Sequence, residues 1–526
     1  MMLNYHKAHE LVTSPYLVHQ FLERSVDLNP NADAVVTEKS RFSYREIECR
    51  ANSIANWLLN IGCNKGDRVA ILLKNSADYI CAYYGVLKTG CVVVPLNTGL
   101  ESKEISEIIT DCGAKVLISQ SLFVEKIMPV FKTTSIPCKF IAMDENMNII
   151  KKHINDNYFN LSDIYSTYNT NRPAIKVIAM DLSSIMYTSG STGKPKGAML
   201  THLNIVSNTI SIVSYMKLSS KDRCFVILPF YYVFGKSLLN THFAVSGMVV
   251  IDNRFAYPNV VLERMIEENV TGFAGVPSTY ALLLNKSAIY DMEFPALRFI
   301  AQAGGHMPEK NKEKLLKIFP DKNIYIMYGA TEASARLSYF NLTKRSDKIK
   351  SIGQPIPNVE LKVLGENEKE LSFGKEGEIV AKGSNIMLGY WNDPVETEKV
   401  LKNGLYYTGD LGFKDEEGFL FVTGRKRDFI KSGIYKVSGI EIEEVLHTYP
   451  GVQEAAVIGV PDEFFGEAIK AFVVHSTEKE LDTNDILRFC ANLLPHYKVP
   501  GEIIFIKELP KNEAGKVLKK KLKEMV

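Results

Sequence analysis

The sequence predicts an α/β fold: a large N-terminal domain of mixed, mainly parallel sheets with a β-rich subdomain, followed by a small α+β C-terminal domain. Three observations predict it. Between residues 44 and 329, short apolar runs alternate with amphipathic stretches, the rhythm of buried parallel strands covered by helices. Near residue 360 the texture changes to apolar–polar alternation punctuated by glycine, as in antiparallel hairpins. The final stretch, about 100 residues, is long enough to be a domain of its own. At 526 residues the chain is also too long for one hydrophobic core.

The elements follow in order. Residues 44–62 place Ile47, Ala51, Ile54, Ala55, Leu58 and Leu59 on one helical face, and Gly62 stops the helix. RVAILL (68–73) reads as a buried strand, YICAYYGVLKTG (79–90) as helix and CVVVPL (91–96) as strand. ISEIITDCGAKVLIS (105–119) repeats helix then strand, and the pattern returns at 225–229, 260–277 and 314–329. Residues 359–383 read as hairpins, and GFLFVTGRKRDFIK (418–431) carries a dense charge cluster. The C-terminal part holds a helix candidate at 440–450, strands at 455–460 and 470–476, and a basic tail.

Composition narrows the function. Lys and Arg total 62 against 60 Asp and Glu, so no basic excess points to nucleic acid and any anion must be bound locally. The eight cysteines are scattered, with no CxxC pair, which argues against a zinc site or a disulfide framework and for reduced thiols. The first 25 residues lack a signal-peptide core. No run reaches the about 18 apolar residues of a spanning helix. A cytoplasmic protein without integral membrane association is expected.

The most informative stretch is YTSGSTGKPKG, residues 187–197. Backbone amides at such a turn form a concave nest for phosphate oxygens, and lysines add charge. It departs from the P-loop pattern: Thr188 stands where the first Gly belongs, and Pro195, which has no amide hydrogen, follows Lys194. A surface loop would need neither lysine.

This string resembles the phosphate loop of the adenylate-forming superfamily, the acyl-CoA and aryl-CoA ligases, luciferases and peptide-synthetase adenylation domains. The superfamily's other motifs have counterparts in order: YGATE (328–332), YTGD (407–410), GRKRD (424–428) and PKNEAGK (510–516). Each is weak alone; five in sequence over most of the chain are not a coincidence of composition. The resemblance implies two half-reactions. A carboxylic acid attacks the α-phosphorus of ATP, releasing pyrophosphate and forming an acyl-adenylate; a thiol, of coenzyme A or of a carrier protein's phosphopantetheine arm, then displaces AMP. Both partners in the first step are anions, so preorganised positive charge must offset their repulsion.

The same resemblance implies the roles. Thr188, Ser189, Gly190, Ser191, Thr192, Gly193 and Lys196 would cradle the β- and γ-phosphates. Thr331 would bond the α-phosphate, and Glu332 would hold Mg²⁺, a hard ion suited to carboxylate and phosphate oxygens. Tyr328 would stack on adenine beside Gly329, with Ala303, Gly304 and Gly305 permitting close backbone approach. Asp410 would accept the ribose hydroxyls, reinforced by Arg425. Lys516, a compact point charge, would reach the carboxylate and α-phosphate oxygens in the transition state. It sits on the C-terminal domain, residues 426–526, which in this superfamily is mobile and rotates against residues 1–425 about a hinge near Arg427.

FYYVFG (230–235) stands where the superfamily lines its acyl site. Tyr231 and Tyr232 occupy the region where α-amino-acid-specific members place an Asp, so an amino-acid substrate is not expected. A pocket of Tyr232, Phe234, Gly235, Ala303 and Ala333 would suit an apolar fatty or aryl acid. Ile434 and Gly439 depart from the superfamily's usual Gly and Pro along the pantetheine path, a departure that weakens the coenzyme A assignment without removing it: coenzyme A is the expected acceptor and a carrier-protein arm the alternative.

Overall fold

The computed structural model describes residues 15–131, 138, 140–144, 157–188, 195–426, 428–432, 435–462, 466–475, 481–512 and 515–526. Among these residues the strands form four sheets.

The seven-stranded sheet runs, edge to edge, through Tyr158–Asn160, Phe140–Met143, Val116–Ser119, Arg68–Leu72, Val92–Pro95, Leu182–Thr188 and Lys196–Thr201. All its pairings are parallel except the last. In the nine-stranded sheet the parallel centre is Asn323–Tyr328, Phe299–Gln302, Gly272–Gly275, Arg223–Val226, Met248–Ile251 and Asp33–Val36. Antiparallel strands close both its edges. The central strands are buried on both faces, which is why they read as unbroken apolar runs.

Helices Tyr44–Asn60, Ala77–Lys88 and Val233–Phe243 contribute to one continuous core with strands of both large sheets: Trp57, Tyr83 and Leu239 cluster with Ile71 and Val93 on one side and Val249 and Phe299 on the other. Ala77–Lys88 is buried on every face, as a helix between two sheets must be. It begins two residues before the stretch predicted from Tyr79, because the Ser76 side chain accepts from the Tyr79 amide and caps it. The helix expected from Ile105 likewise starts earlier, at Ser102, behind reciprocal Glu101–Glu104 capping.

The antiparallel texture past residue 359 is a third sheet: Val359–Leu364 pairs with Gly377–Gly383, which pairs with Leu405–Lys414, and Leu420–Arg425 follows. From Ile430 onward the strands belong to a fourth sheet, built on the long pair Val452–Asp462 and Gly466–His475 and joined by Glu502–Phe505 in parallel. Helices Gly439–Thr448 and Thr483–Leu493 cover it. The change of sheet falls between Arg425 and Ile430; Arg427 itself lies outside the described residues. No helix among the described residues is long and apolar enough to cross a membrane.

Candidate functional site

Among the described residues, most predicted site residues of the large domain sit at or shortly past the C-terminal end of a parallel strand; Lys196, Asp410 and Arg425 stand on antiparallel strands instead. Thr188 ends Leu182–Thr188, Ala303–Gly305 follow Phe299–Gln302, and Tyr328–Glu332 end and follow Asn323–Tyr328. Tyr232–Gly235 come a short loop after Arg223–Val226. Crevices at such strand ends are where open α/β sheets bind ligands, because loops there can diverge and backbone amides are free.

The turns that follow these strands are tightly wound. Gly304 has φ +89° and lies against Val276, while Gln302 Nε2 donates to the Gly305 carbonyl at 2.8 Å. A Cβ on Gly329 would fall 1.8 Å from the Ala335 carbonyl oxygen, so only glycine lets the strand turn here. The turn that follows holds Ser334 and Ala335 at positive φ, 56° and 113°. Such conformations each cost on the order of 1–3 kcal/mol and persist where surrounding structure enforces them.

Two polar clusters are built on these turns. In the first, buried Asp410 accepts from the Tyr328 hydroxyl at 2.5 Å and pairs with Arg425 Nε at 2.9 Å. Burial, reinforced by the facing Asp410 carboxylate, holds the Tyr328 phenol well above its ordinary pKa. Asp410 and Arg425 are a register pair of adjacent strands, so YTGD and GRKRD meet through sheet pairing. Tyr328 was expected as an adenine platform; here its hydroxyl is committed to Asp410, which fixes the ring's direction.

In the second cluster, Glu332 Oε1 accepts from the Tyr390 hydroxyl at 2.7 Å. The Lys196 ammonium lies 5.5 Å from the centre of the same tyrosine ring and is ion-paired with Glu396. Lys196, with Lys399, pulls the Glu396 carboxyl down to about 2. Thr188 and Lys196 are opposite each other in the antiparallel pair; Ser189–Gly193 lie outside the described residues. Nothing in the sequence pointed to Tyr390 or Glu396. They reach the site because the 389–391 segment bonds edge-on to the Lys196–Thr201 strand, through Met199 N to Gly389 O at 2.9 Å and Trp391 N to Gly197 O at 2.7 Å.

Around the expected acyl site, the Tyr232 hydroxyl accepts from Asn97 Nδ2 at 3.1 Å, and its ring packs 4.7 Å from that of Tyr231. Buried Phe234 lies under the Arg336 guanidinium, 4.1 Å away. A Cβ on Gly235 would meet the Pro229 carbonyl at 2.2 Å, so this glycine permits helix-to-loop contact. Ala303 belongs to the large core, whereas Ala333 is fully enclosed with Leu337, Leu361 and Tyr406 under the third sheet. The structure therefore separates these two alanines into different apolar clusters.

Lys516 is exposed on a turn closed by Lys516 N to Asn512 Oδ1 at 2.9 Å and Gly515 N to Asn512 O at 2.8 Å. Gly515, at φ +74°, is pressed so closely on Ser278 and Val276 that an added Cβ would lie 2.1 Å from Ser278 Oγ. Val276 is the residue that Gly304 also packs against, which places the Lys516 turn beside the Gly304 turn. A second bridge between the domains joins Glu444 to His306 and to the Glu309 amide, with Lys310 Nζ donating to the His447 carbonyl at 3.0 Å.

The sequence profile described as AMP-binding enzyme matches residues 22–391, and that of the AMP-binding enzyme C-terminal domain matches residues 441–516. The chain belongs to the AMP-binding enzyme family. It is 32% identical over 538 aligned residues to a long-chain-fatty-acid–CoA ligase of Bacillus subtilis, covering 98% of this chain and 96% of that one. It is also 32% identical to the Mycobacterium tuberculosis ligase FadD13, covering 96% and 97%. Among solved structures, ATP-bound MatB from Rhodopseudomonas palustris superposes with a TM-score of 0.87 at 28% identity, over 97% of this chain and 98% of that one.

As an AMP-binding enzyme this chain is expected to use Mg²⁺, and its residues fit that ion in one way. No group of three or more His, Cys, Asp or Glu able to hold a metal occurs among the described residues. Glu332, half-buried, accepts from the Tyr390 hydroxyl through Oε1. A single carboxylate suits an octahedral ion whose remaining ligands are nucleotide phosphates and water.

Proposed function

We propose that this AMP-binding enzyme is an ATP-dependent carboxylic acid ligase that forms an acyl-adenylate and transfers the acyl group to coenzyme A. The observation that carries this reading is the seating of the Gly515–Lys516 turn on Val276 and Ser278, beside Gly304. A cation from the C-terminal domain is thereby brought to the mouth of the nucleotide crevice, where a carboxylate and an α-phosphate repel each other. Asp410, oriented by Arg425 and Tyr328, holds the ribose. Thr188 and Lys196 take the phosphate tail, and Lys196 exchanges its partner Glu396 for phosphate oxygen. Glu332, aimed by Tyr390, would hold Mg²⁺, which when bound would supply charge neutralisation on the phosphates. Tyr232 and Phe234 border the acid, whose body is apolar. The domain then turns about the segment near Arg427 to admit the thiol.

Coenzyme A is favoured over a carrier protein because curated relatives aligned over nearly their whole length are named as CoA ligases. Ile434, the departure that spoke for the carrier, lies outside the described residues. A cytoplasmic enzyme is consistent with eight free cysteines. The test is pyrophosphate release with a panel of carboxylic acids, followed by addition of CoA or a holo carrier protein. Thioester with CoA alone supports the reading. Pyrophosphate release with no acid in the panel would remove it.

A further inference from the structure

Three lysines are buried among the described residues: Lys88, Lys236 and Lys312. Two have oxygen partners. Lys88 Nζ reaches Glu23 at 2.8 Å and Glu48 at 3.0 Å, and Lys312 Nζ donates to the Ile349 carbonyl at 2.7 Å. Lys236 differs. It is 3% exposed, its ammonium lies 3.7 Å from Met186 Sδ and 4.8 Å from the centre of the Tyr83 ring, and no carboxylate of the described residues pairs with it. A buried charge held only by a thioether and a ring face is poorly compensated. Burial accordingly drives its pKa down to about 7.

Lys236 borders a small cavity of about 10 Å³, room for about one water-sized group. Its polar lining is Thr209, Ser237, Asn240 and Ser334, with Met186 and Val233 beside them. Several walls come from elements that carry predicted site residues, while Thr209 comes from helix His202–Met216. Met186 lies on the strand that ends at Thr188, Ser334 directly follows the Thr331–Ala333 turn that carries Glu332, and Val233 and Ser237 share the helix of Phe234 and Gly235. The cavity thus lies against the helix that also carries Phe234 and Gly235, on the flank of the expected acyl site.

We propose that Lys236 receives a second carboxylate on the acid substrate, so that the enzyme activates a dicarboxylic acid in preference to a plain alkanoic acid. This rests on the ligase reading above and sharpens its substrate class. An arriving carboxylate supplies the charged oxygen that Lys236 lacks, and charge-assisted hydrogen bonds in a dry site are strong. A plain methyl terminus would leave the ammonium uncompensated.

The test compares the purified full-length enzyme with Lys236→Met on matched alkanoic acids, their ω-hydroxy analogues and their ω-carboxylate counterparts, short to long, scored by pyrophosphate release. The wild type is expected to favour the best dicarboxylate over its alkanoate match by about tenfold or more in kcat/KM. Lys236→Met is expected to reverse that order and to raise the urea midpoint, because it removes an uncompensated buried charge. An unchanged ratio in Lys236→Met, equal preference for the neutral ω-hydroxy acid, or a lowered urea midpoint would each overturn the assignment. Should Lys236→Met not fold, Lys236→Arg serves: it keeps the charge and is expected to keep the dicarboxylate preference, and its loss would count against the proposal. Wild-type activity on alkanoates alone refutes the substrate class and leaves the ligase reading standing. Inactivity on every acid refutes both.

Discussion

Gly515→Ala tests whether the seating of the C-terminal turn is what delivers Lys516. The new methyl would lie 2.1 Å from Ser278 Oγ and 2.8 Å from Val276 Cγ2, on a backbone with φ +74°. Left-handed backbone costs an alanine about 1–2 kcal/mol, and a forced contact in a packed site typically about 1–3 kcal/mol. Ser278 can rotate its hydroxyl aside, so the lower half of the summed range applies, about 2–3 kcal/mol against the closed arrangement. That is roughly 30- to 150-fold in the population of closed enzyme. Pyrophosphate release should slow by that factor. Thioester formation from a pre-made acyl-adenylate and CoA should be unaffected, because the small domain has then turned away. Ser278→Ala in the Gly515→Ala background removes the 2.1 Å contact but not the φ strain, so it should recover part of the loss. Wild-type pyrophosphate release by Gly515→Ala, or equal slowing of both half-reactions, would refute the reasoning.

Asp410→Asn should raise the KM for ATP by about tenfold to a hundredfold, since a buried carboxylate that accepts hydrogen bonds is replaced by a neutral amide beside Arg425; isothermal titration with ATP checks it. Tyr390→Phe removes the 2.7 Å hydrogen bond to Glu332, and the Mg²⁺ concentration for half-maximal pyrophosphate release should rise about tenfold with the fold intact by circular dichroism. Glu396 is held near a pKa of about 2, below the ordinary 4.5 of a free glutamate, by Lys196 and Lys399. Its contribution to stability is therefore complete above about pH 4.5 and is lost as pH falls toward 2. Urea midpoints for Glu396→Gln should accordingly fall less steeply than wild type over that window, and parallel curves would contradict the pairing.

The sequence by itself determined the layered α/β architecture, the change of texture at the third sheet and the separate C-terminal domain. It did so because buried parallel strands, amphipathic helices and glycine turns each leave a local signature in consecutive residues. It also singled out the short turns expected to hold the chemistry, since Thr188, Tyr328–Glu332, Asp410 and Lys516 stand in contiguous motifs. Tertiary structure alone decided what these residues touch. Tyr390 aims Glu332 from 58 residues away, and Glu396 holds Lys196 from 200 residues away. Ser278 meets the Lys516 turn across a domain boundary. Lys236, by pattern an ordinary helix residue, proves to be a buried cation without a carboxylate among the described residues. Periodicity and turn chemistry are properties of neighbours along the chain. Desolvation and charge pairing belong to whichever side chains share a volume, and only the packing of two sheets and two domains fixes that.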